Sequence, residues 1–339
     1  LKSVVQMPEN ASFYVQGVLA GARRIFSKTI TLIESSNPEH QRLARAVING
    51  LLPHTGGSIR LGVSGVPGAG KSSFIERLGT LLLDKGYHVA VLAVDPSSKR
   101  SGGSIMADKT RMEKLAADRR AFIRPSPSGG ILGGVARKTR ETLLVCEAAG
   151  FDVIMVETVG VGQSEIDVAS MVDFFLILMI AGAGDEIQGI KKGVLELADA
   201  LVINKADGDN VENAKRAQRT YENALHLLRP ATPTWTPPVL TCSALESTGI
   251  EAIWQTILTH RQRFDETGER LERRRAQAID WMAALIEEGL KSRFYAHPVV
   301  KSMFPELRRA VLAGTLNATA AAEKLLFFLD KEALTESSK

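Results

Sequence analysis

Residues 65–72 read GVPGAGKS, which fits the phosphate-binding pattern G-x-x-x-x-G-K-[ST]. The glycines let backbone amides turn inward around a phosphate group, and the helix predicted to follow adds partial positive charge. Lys71 can reach the β- and γ-phosphates of a nucleotide, and the hydroxyl of Ser72 can bind magnesium. The stretch therefore predicts a phosphate-binding loop that comprises Gly65, Val66, Pro67, Gly68, Ala69, Gly70, Lys71, Ser72 and Ser73.

A second cluster, NKAD at residues 204–207, follows an apolar run that is typical of a buried strand. The Asp207 carboxylate can accept hydrogen bonds from the N1–H and 2-amino groups of guanine. Adenine has neither group and would leave a buried carboxylate unpaired. The stem of Lys205 can cover the base, and Asn204 can tie this loop to the phosphate loop. A later S-A-x loop, which offers a backbone amide to the guanine oxygen, consists of Ser243, Ala244 and Leu245. The three motifs together predict binding of GTP or GDP.

Glu157 stands at the end of another predicted strand, where many GTPases carry the aspartate of an Asp-x-x-Gly sequence. In those enzymes the acid binds magnesium through water, and the glycine amide senses the γ-phosphate. Glu157 can do the same from one methylene further away, with Gly160 as the sensing glycine. Gln163 invites comparison with a water-orienting glutamine, but its spacing is displaced, so its catalytic role stays open.

Asp95 and Asp108 follow the strand predicted at residues 89–94. They are candidates for binding magnesium or for orienting the attacking water. Arg111 lies in the run DKTR and could neutralise phosphate charge. The same run is also typical of a helix N-terminus, where the helix dipole favours an acid such as Asp108. Both the phosphate-binding and the purely structural interpretation of Arg111 stay open. With Lys71 and Glu157, these residues make up the expected catalytic set.

A glycine-rich loop at residues 182–192 follows the strand predicted at 173–179. It places an acid, an amide and a base at a strand end: Asp185, Gln188 and Lys191. Such loops order and disorder with the state of the γ-phosphate. We therefore predict a switch that includes this loop together with Gly160 and Gln163.

The elements that must position these residues are strands alternating with helices. Between residues 59 and about 258, seven apolar runs are separated by helical stretches, which indicates βαβ units and a mostly parallel sheet. Both ends of the chain show helical periodicity instead. The predicted fold is an α/β P-loop nucleotide-binding core flanked by N- and C-terminal helical extensions, divided at 1–55, 56–260 and 261–339.

The C-terminal extension contains one long amphipathic helix, predicted at residues 277–294. Pro298 and Pro305 are expected to interrupt the helical pattern that follows. The apolar side of the long helix needs a partner surface in the same chain or another. Its residues in register are Ile279, Met282, Ile286 and Leu290.

The composition is that of an ordinary globular protein, with 45% hydrophobic residues and a net charge of +4 over 339 residues. The densest basic run, RLERRR at 270–275, also contains acid, so we interpret it as a solvated helix face and expect no nucleic-acid partner. Cys146 and Cys242 lie far apart, which fits a reducing compartment and offers no zinc pattern. No apolar run reaches the ~20 residues of a membrane span, and no signal peptide is evident. We expect a cytoplasmic protein with no membrane partner.

Six stretches together make this sequence resemble the MeaB/ArgK/MMAA family of GTPases. They are GVPGAGKSS, AVDPSSKRSGGSIMADKTRM, FIRPSPSGGILGGVARKTRE, VETVGVGQSE, GAGDEIQGIKKG and NKADGD. These motifs are long and specific, and the resemblance covers nearly the whole chain without a departure at the motif positions.

The resemblance implies a G domain of the SIMIBI class whose helical arms mediate homodimerisation. Family members are chaperones for adenosylcobalamin-dependent acyl-CoA mutases, chiefly methylmalonyl-CoA mutase. GTP binding and hydrolysis gate the loading of intact cofactor from an adenosyltransferase and help to eject inactivated cofactor. The family pattern implies that the loop at Asp185, Gln188 and Lys191 couples mutase and GTPase. It also implies a magnesium site built from Ser72, Asp95, Asp108 and Glu157.

Two other classes of function stay open at the level of the sequence. The same family carries an older description as a kinase or ATPase of arginine and ornithine (LAO/AO) transport. The guanine-specifying residues argue against ATP, and no second substrate pocket is evident. A metallochaperone-type GTPase would need Cys/His ligands near the phosphate loop, whereas Cys242 lies at the guanine end of the site.

Overall fold

The computed structural model of the chain describes residues 10–94, 112–125, 132–158, 164–181, 192–226 and 232–336. The chain divides into two compact units, Leu1–Arg275 and Ala276–Lys339. The described strands lie in the first unit, and the described part of the second is helical. The three-part division at 1–55, 56–260 and 261–339 stays a prediction.

The seven apolar runs predicted as strands are all strands. Their bounds are β1 Ile59–Gly65, β2 Val89–Val94, β3 Ala121–Arg124, β4 Val153–Thr158, β5 Phe174–Ile180, β6 Ala200–Asn204 and β7 Val239–Thr241. They form one sheet in the order β3-β2-β4-β1-β5-β6-β7, and each neighbouring pair is parallel. The predicted α/β class with a parallel sheet is confirmed.

Helices cover both faces of the sheet and build the second unit. In the first unit they are α1 Ala11–Leu19, α2 Arg23–Glu34, α3 Pro38–Leu51, α4 Lys71–Asp84, α5 Glu113–Ala117, α6 Leu132–Ala148, α7 Ser164–Ala169, α8 Lys192–Leu195, α9 Val211–His226 and α10 Ile250–Thr267. Helix α11, Glu269–Ala296, begins in the first unit and continues into the second, which also contains α12 Pro298–Leu312 and α13 Ala318–Glu336.

Alternate residues of the central strands face opposite sides of the sheet. In β5, Phe174 and Leu176 belong to the core that includes α4 and α10, whereas Phe175 and Ile177 belong to the core that includes α1–α3 and α6. All four side chains are at most 1% exposed. A strand buried on both faces has a continuous apolar sequence, which is why these strands are predictable.

The predicted N-terminal helices are present and pack onto one face of the sheet. Asn10 and Asn37 cap the first turns of α1 and α3, because their side-chain oxygens accept backbone amides at 2.9 Å. Tyr14 at the centre of this helical layer is 0% exposed. Glu34 of α2 pairs with Arg124 at the end of β3, which fixes the layer to the edge of the sheet.

A network of charged side chains lies at the amino ends of β1, β5 and β6. Arg274 of α11 pairs with Asp173 at 2.6 Å and with Glu147 at 3.4 Å. Arg273 pairs with Asp199 at 2.9 Å, and Asp173 and Asp199 directly precede β5 and β6. The three acids are 6–7% exposed. The start of α11 is therefore bound to the amino edge of the sheet by buried ion pairs.

The interpretation of residues 270–275 as a solvated helix face is wrong for Arg273 and Arg274. Their side chains are only 26% and 11% exposed. Arg275 does face solvent, at 64% exposure, and pairs with the equally exposed Glu272. The acids that pair with Arg273 and Arg274, Asp199 and Asp173, lie far from this run in the sequence.

Replacing Arg274 by methionine is expected to destabilise the protein by about 3–5 kcal/mol, because the buried Asp173 carboxylate loses its ion-pair partner. Glu147 keeps its pair with Arg60 at 2.7 Å. Burial alone would raise the pKa of Asp173, but the hydrogen bonds and charge of Arg274 outweigh it and hold that pKa below its ordinary value. A carboxyl group whose pKa is lower in the folded protein stabilises the fold fully above its unfolded pKa of about 3.9. This stabilisation is lost as the pH falls below that value and through the lower folded pKa. Urea unfolding at pH 7 should therefore show the full loss, and the loss should shrink below about pH 4.

The matched control for this prediction is Arg275→Met in the same turn of α11. Its pair with Glu272 is exposed, so we expect a change within about 0.5 kcal/mol. Equal effects of the two replacements would contradict a stabilising role for the buried network.

The long helix predicted at residues 277–294 is confirmed as α11, although it begins earlier, at Glu269. Helix α12 begins at Pro298, in the first turn, where the missing N–H has no intrahelical partner to lose. The expected break at Pro305 is wrong, because Pro305 lies inside α12, which continues to Leu312. No helix in the described part of the chain is both long and apolar enough to cross a bilayer.

Candidate nucleotide-binding site

The phosphate loop joins the carboxyl end of β1 to the start of α4. Gly65 has a φ angle of +145° and Gly70 one of +83°, conformations that glycine adopts readily. A Cβ atom at Gly65 would lie 2.1 Å from the Leu178 carbonyl oxygen, and one at Gly70 would lie 2.7 Å from Asn204 Nδ2. The loop therefore packs too closely against β5 and β6 to accept a side chain at either position.

Lys71 points back across the phosphate loop. Its Nζ donates hydrogen bonds to the carbonyl oxygens of Gly65, at 2.9 Å, and Val66, at 3.3 Å. Burial lowers the pKa of Lys71, and the negative charges of Glu157 and Glu165 oppose this shift. The ammonium group is thus held over the loop that curls around a phosphate, with two carboxylates nearby.

Ser72 and Glu157 meet beside this lysine. Ser72 Oγ donates a hydrogen bond of 2.9 Å to Glu157 Oε1, which joins the start of α4 to the end of β4. A second hydrogen bond, of 2.8 Å, joins the buried hydroxyls of Ser64 and Thr158. Ser64 directly precedes the phosphate loop, and Thr158 directly follows Glu157. A hydroxyl and a carboxylate are hard oxygen ligands, so this pair fits magnesium.

Asn204 connects all three predicted motifs. Its Nδ2 donates to the Ala69 carbonyl oxygen at 2.7 Å, and its Oδ1 accepts the Ala244 amide at 3.1 Å. The side chain is 1% exposed. One buried amide therefore holds the phosphate loop and the loop at residues 243–245 in fixed positions on either side of the carboxyl end of β6.

Lys205 and Asp207 follow Asn204, and the backbone of Lys205 is unusual. Lys205 has a φ angle of +60°, which is rare outside glycine and is a source of local strain. Its carbonyl oxygen accepts a hydrogen bond of 2.8 Å from Asn210 Nδ2. The Asp207 carboxylate accepts a hydrogen bond from the Ser243 hydroxyl, which orients it from the neighbouring loop.

A pocket of about 480 Å³ opens between these loops, within the usual size range of ligand sites. Its walls combine the start of α4 with the ends of β6 and β7. The lining residues named by the sequence motifs are Gly70, Ser73, Asn204, Lys205, Asp207, Ala244 and Leu245. The pocket is therefore continuous with the phosphate loop and extends to the residues predicted to read guanine.

The remaining residues of the phosphate loop differ in their exposure. Val66 is half-buried, Ala69 is buried, and Pro67, Gly68 and Ser73 are exposed. The predicted catalytic residues Asp95, Asp108 and Arg111 lie outside the described residues. So do the predicted switch residues Gly160, Gln163, Asp185, Gln188 and Lys191.

Sequence reasoning missed several charged residues at the site, among them Glu165 and Arg77. Glu165 in the first turn of α7 is 7% exposed, acts electrostatically on Lys71, and has one oxygen without a hydrogen-bond partner among the described residues. An acid at a helix start is common, so it gives no signal by itself. Arg77 of α4 lines the pocket, and it lies in an ordinary amphipathic stretch.

The fold and the site define a P-loop nucleoside triphosphatase domain. A parallel sheet carries the phosphate loop at the carboxyl end of a central strand, where ligands of open α/β sheets bind. The polar ends of β6 and β7 line the pocket beside this loop, and Glu157 at the end of β4 binds Ser72 at the start of α4.

Known proteins match this chain over most of its length. The family model "Methylmalonyl Co-A mutase-associated GTPase MeaB" matches residues 26–299. A putative GTPase of Caulobacter vibrioides is 56% identical over 91% of this chain and 94% of that protein. A mitochondrial methylmalonic aciduria type A homolog of Mus musculus is 43% identical over 91% of this chain and 77% of that protein.

One solved structure resembles this chain over almost its whole length. It is described as an LAO/AO transport system kinase, with 40% identity, a TM-score of 0.78, and coverage of 96% of this chain and 99% of that one. The chain belongs to the MeaB family of GTPases, and it is a GTPase.

Proposed function

We propose that the chain is a GTP-hydrolysing chaperone for an adenosylcobalamin-dependent acyl-CoA mutase, with methylmalonyl-CoA mutase as the first candidate. The family model supports this partner, because its description names methylmalonyl-CoA mutase. The observation that carries the nucleotide part is Asn204, which holds the phosphate loop and the base-reading loops around one pocket.

In this proposal each described residue has a separate role in hydrolysis. Lys71 places positive charge beside the β- and γ-phosphates, where negative charge develops as the bond to the γ-phosphorus breaks. Asp207 accepts the N1–H and 2-amino groups of guanine, with its orientation set by Ser243. Asp95, Asp108 and Arg111 stay proposed catalytic residues.

Magnesium is part of the same proposal. Ser72 and Glu157 would hold it, because their oxygens already meet at the start of α4. Bound magnesium would supply positive charge that stabilises the departing phosphate. Asp95 and Asp108, the other two proposed magnesium ligands, lie outside the described residues.

The cycle of GTP binding and hydrolysis is proposed to act as a conformational switch, and not as a metabolic reaction whose product is used. GTP binding and hydrolysis would gate cofactor loading from an adenosyltransferase and the ejection of inactivated cofactor. Asp185, Gln188 and Lys191, with Gly160 and Gln163, are the proposed switch residues. We place this activity in the cytoplasm.

The proposal includes a homodimer formed through the C-terminal helices. Ile279, Met282, Ile286 and Leu290 recur along α11 and are 52–63% exposed. A stripe of large apolar side chains at helical spacing favours a helix partner. A monomer mass from light scattering at micromolar concentration would contradict the dimer.

The experiment that tests the function is binding to a purified methylmalonyl-CoA mutase. The complex is titrated with GDP and with a non-hydrolysable GTP analogue, and GTP turnover is measured with and without the mutase. The expected result is a nucleotide-dependent affinity and faster hydrolysis with the mutase. Hydrolysis with no binding and no stimulation would refute the mutase partner and leave the GTPase intact.

The second candidate function is a kinase or NTPase of LAO/AO transport, which the description of the solved relative favours. Phosphoryl transfer from GTP to an acceptor protein, in place of release as phosphate, would support it. The metallochaperone alternative has less support. Burial raises the pKa of Cys242 to about 12, so its thiol stays protonated and is a poor metal ligand.

A further inference from the structure

Arg77 binds the loop that is proposed to read the guanine 6-oxo group. Its Nε donates a hydrogen bond of 2.9 Å to the Ala244 carbonyl oxygen, and its Nη2 donates one of 3.4 Å to the Leu245 carbonyl oxygen. Arg77 projects from α4, the helix that follows the phosphate loop, and it lines the pocket. One guanidinium group therefore connects the phosphate end of the site to the base end.

The amides of this loop are almost all in use. The Ser243 amide donates across the loop at 3.0 Å, the Ala244 amide donates to Asn204 Oδ1 at 3.1 Å, and the Glu246 amide donates to Ser243 Oγ at 3.0 Å. Within the described ranges, the Leu245 amide has no acceptor. The Leu245 N–H group can therefore donate a hydrogen bond to a ligand oxygen.

The Ala244 carbonyl and the Leu245 amide belong to one peptide unit. In a planar trans peptide the C=O and N–H bonds point in opposite directions, so holding the carbonyl fixes the direction of the amide. A charge-assisted hydrogen bond to the carbonyl also polarises the unit and makes its N–H a stronger donor. Arg77 can thus act on the base through the backbone without touching it.

We infer that Arg77 is a positioning residue for guanine recognition, which fixes and polarises the Ala244–Leu245 peptide so that the Leu245 N–H donates to the 6-oxo group. The inference rests on the proposed function, since it requires a guanine nucleotide in the pocket. It differs from the role proposed for Asp207, which accepts the N1–H and 2-amino groups further along the same edge of the base.

The test is calorimetric binding of three nucleotides to the full chain and to Arg77→Met. GDP has the 6-oxo group, 6-thio-GDP replaces it with a weaker acceptor, and IDP keeps it but lacks the 2-amino group. Arg77→Met should weaken GDP and IDP by about fivefold, the worth of about one hydrogen bond. It should weaken the binding of 6-thio-GDP less than twofold. The ratio of GDP affinity to 6-thio-GDP affinity should therefore fall, whereas the ratio of GDP affinity to IDP affinity should stay the same.

Two further variants make the result specific. Lys85→Met removes the 3.1 Å ion pair with Glu251, which also joins α4 to the segment after β7, and should change neither preference. Arg77→Lys keeps the charge but has fewer hydrogen-bond donors, so it should lower the preference for GDP over 6-thio-GDP by an intermediate factor. If Arg77→Met does not fold, Arg77→Lys provides the test.

Equal weakening of GDP and 6-thio-GDP would overturn the inference, because a merely structural contact affects both ligands alike. The original chain failing to bind GDP at all would instead refute the proposed nucleotide specificity. The two failures are therefore distinguishable in one series of titrations.

Discussion

Lys71→Met is expected to lower the turnover number for GTP by at least about 100-fold. The ammonium lies over the phosphate loop, held by the carbonyl oxygens of Gly65 and Val66, in the position from which it can stabilise the developing charge. Removing one preorganised charge or donor from such a site typically costs a factor of about 10²–10³. Release of phosphate at saturating GTP and magnesium measures the effect.

Methionine keeps most of the length of the lysine stem, so the buried position stays filled. Because burial already opposes the charged form of Lys71, we expect the melting temperature of Lys71→Met to equal or exceed that of the parent chain. The control is Lys85→Met at the far end of the same helix, where turnover should be unchanged. A turnover within threefold of the parent for Lys71→Met would remove this lysine from the catalytic set.

The sheet could be predicted because its strands are buried on both faces and bounded by loop residues. The phosphate loop could be predicted because its glycines, lysine and serine stand at fixed spacing in the contiguous stretch Gly65 to Ser72. In both cases the physical constraint acts on neighbouring residues, so a short stretch of sequence carries it. The same holds for the interruption at Pro298, where α12 begins, but not for Pro305, which lies inside that helix.

The parts that could not be predicted depend on residues far apart in the sequence. Arg273 and Arg274 look like solvent-facing charges until Asp199 and Asp173 are placed beside them. Arg77 likewise has no partner in its own helix, because it binds carbonyl groups that come more than 160 residues later. The local sequence shows that these residues are arginines, but only the folded structure shows which groups they bind.

Asp207→Asn is expected to lower the affinity for GDP by about 100-fold and to raise the affinity for xanthosine diphosphate. The carboxylate accepts two donors of guanine, whereas an asparagine amide turns an N–H₂ group toward one of them. Hydrogen bonds to a charged acceptor contribute about 1.5–3 kcal/mol each, so their loss accounts for this factor. Xanthine carries a 2-oxo group in place of the 2-amino group, which accepts the new donor. Calorimetric titration with both nucleotides measures the exchange.

The same change two residues away provides the control, because Asp209 is exposed and lies in the turn Gly208–Asn210. Asp209→Asn should leave both affinities unchanged. Ser243→Ala should weaken GDP by a smaller factor, about fivefold, since it frees the Asp207 carboxylate without removing it. If Asp207→Asn keeps GDP affinity within threefold and gains none for xanthosine diphosphate, Asp207 does not bind the base. The guanine preference of this GTPase would then have to come from backbone groups such as the Leu245 amide alone.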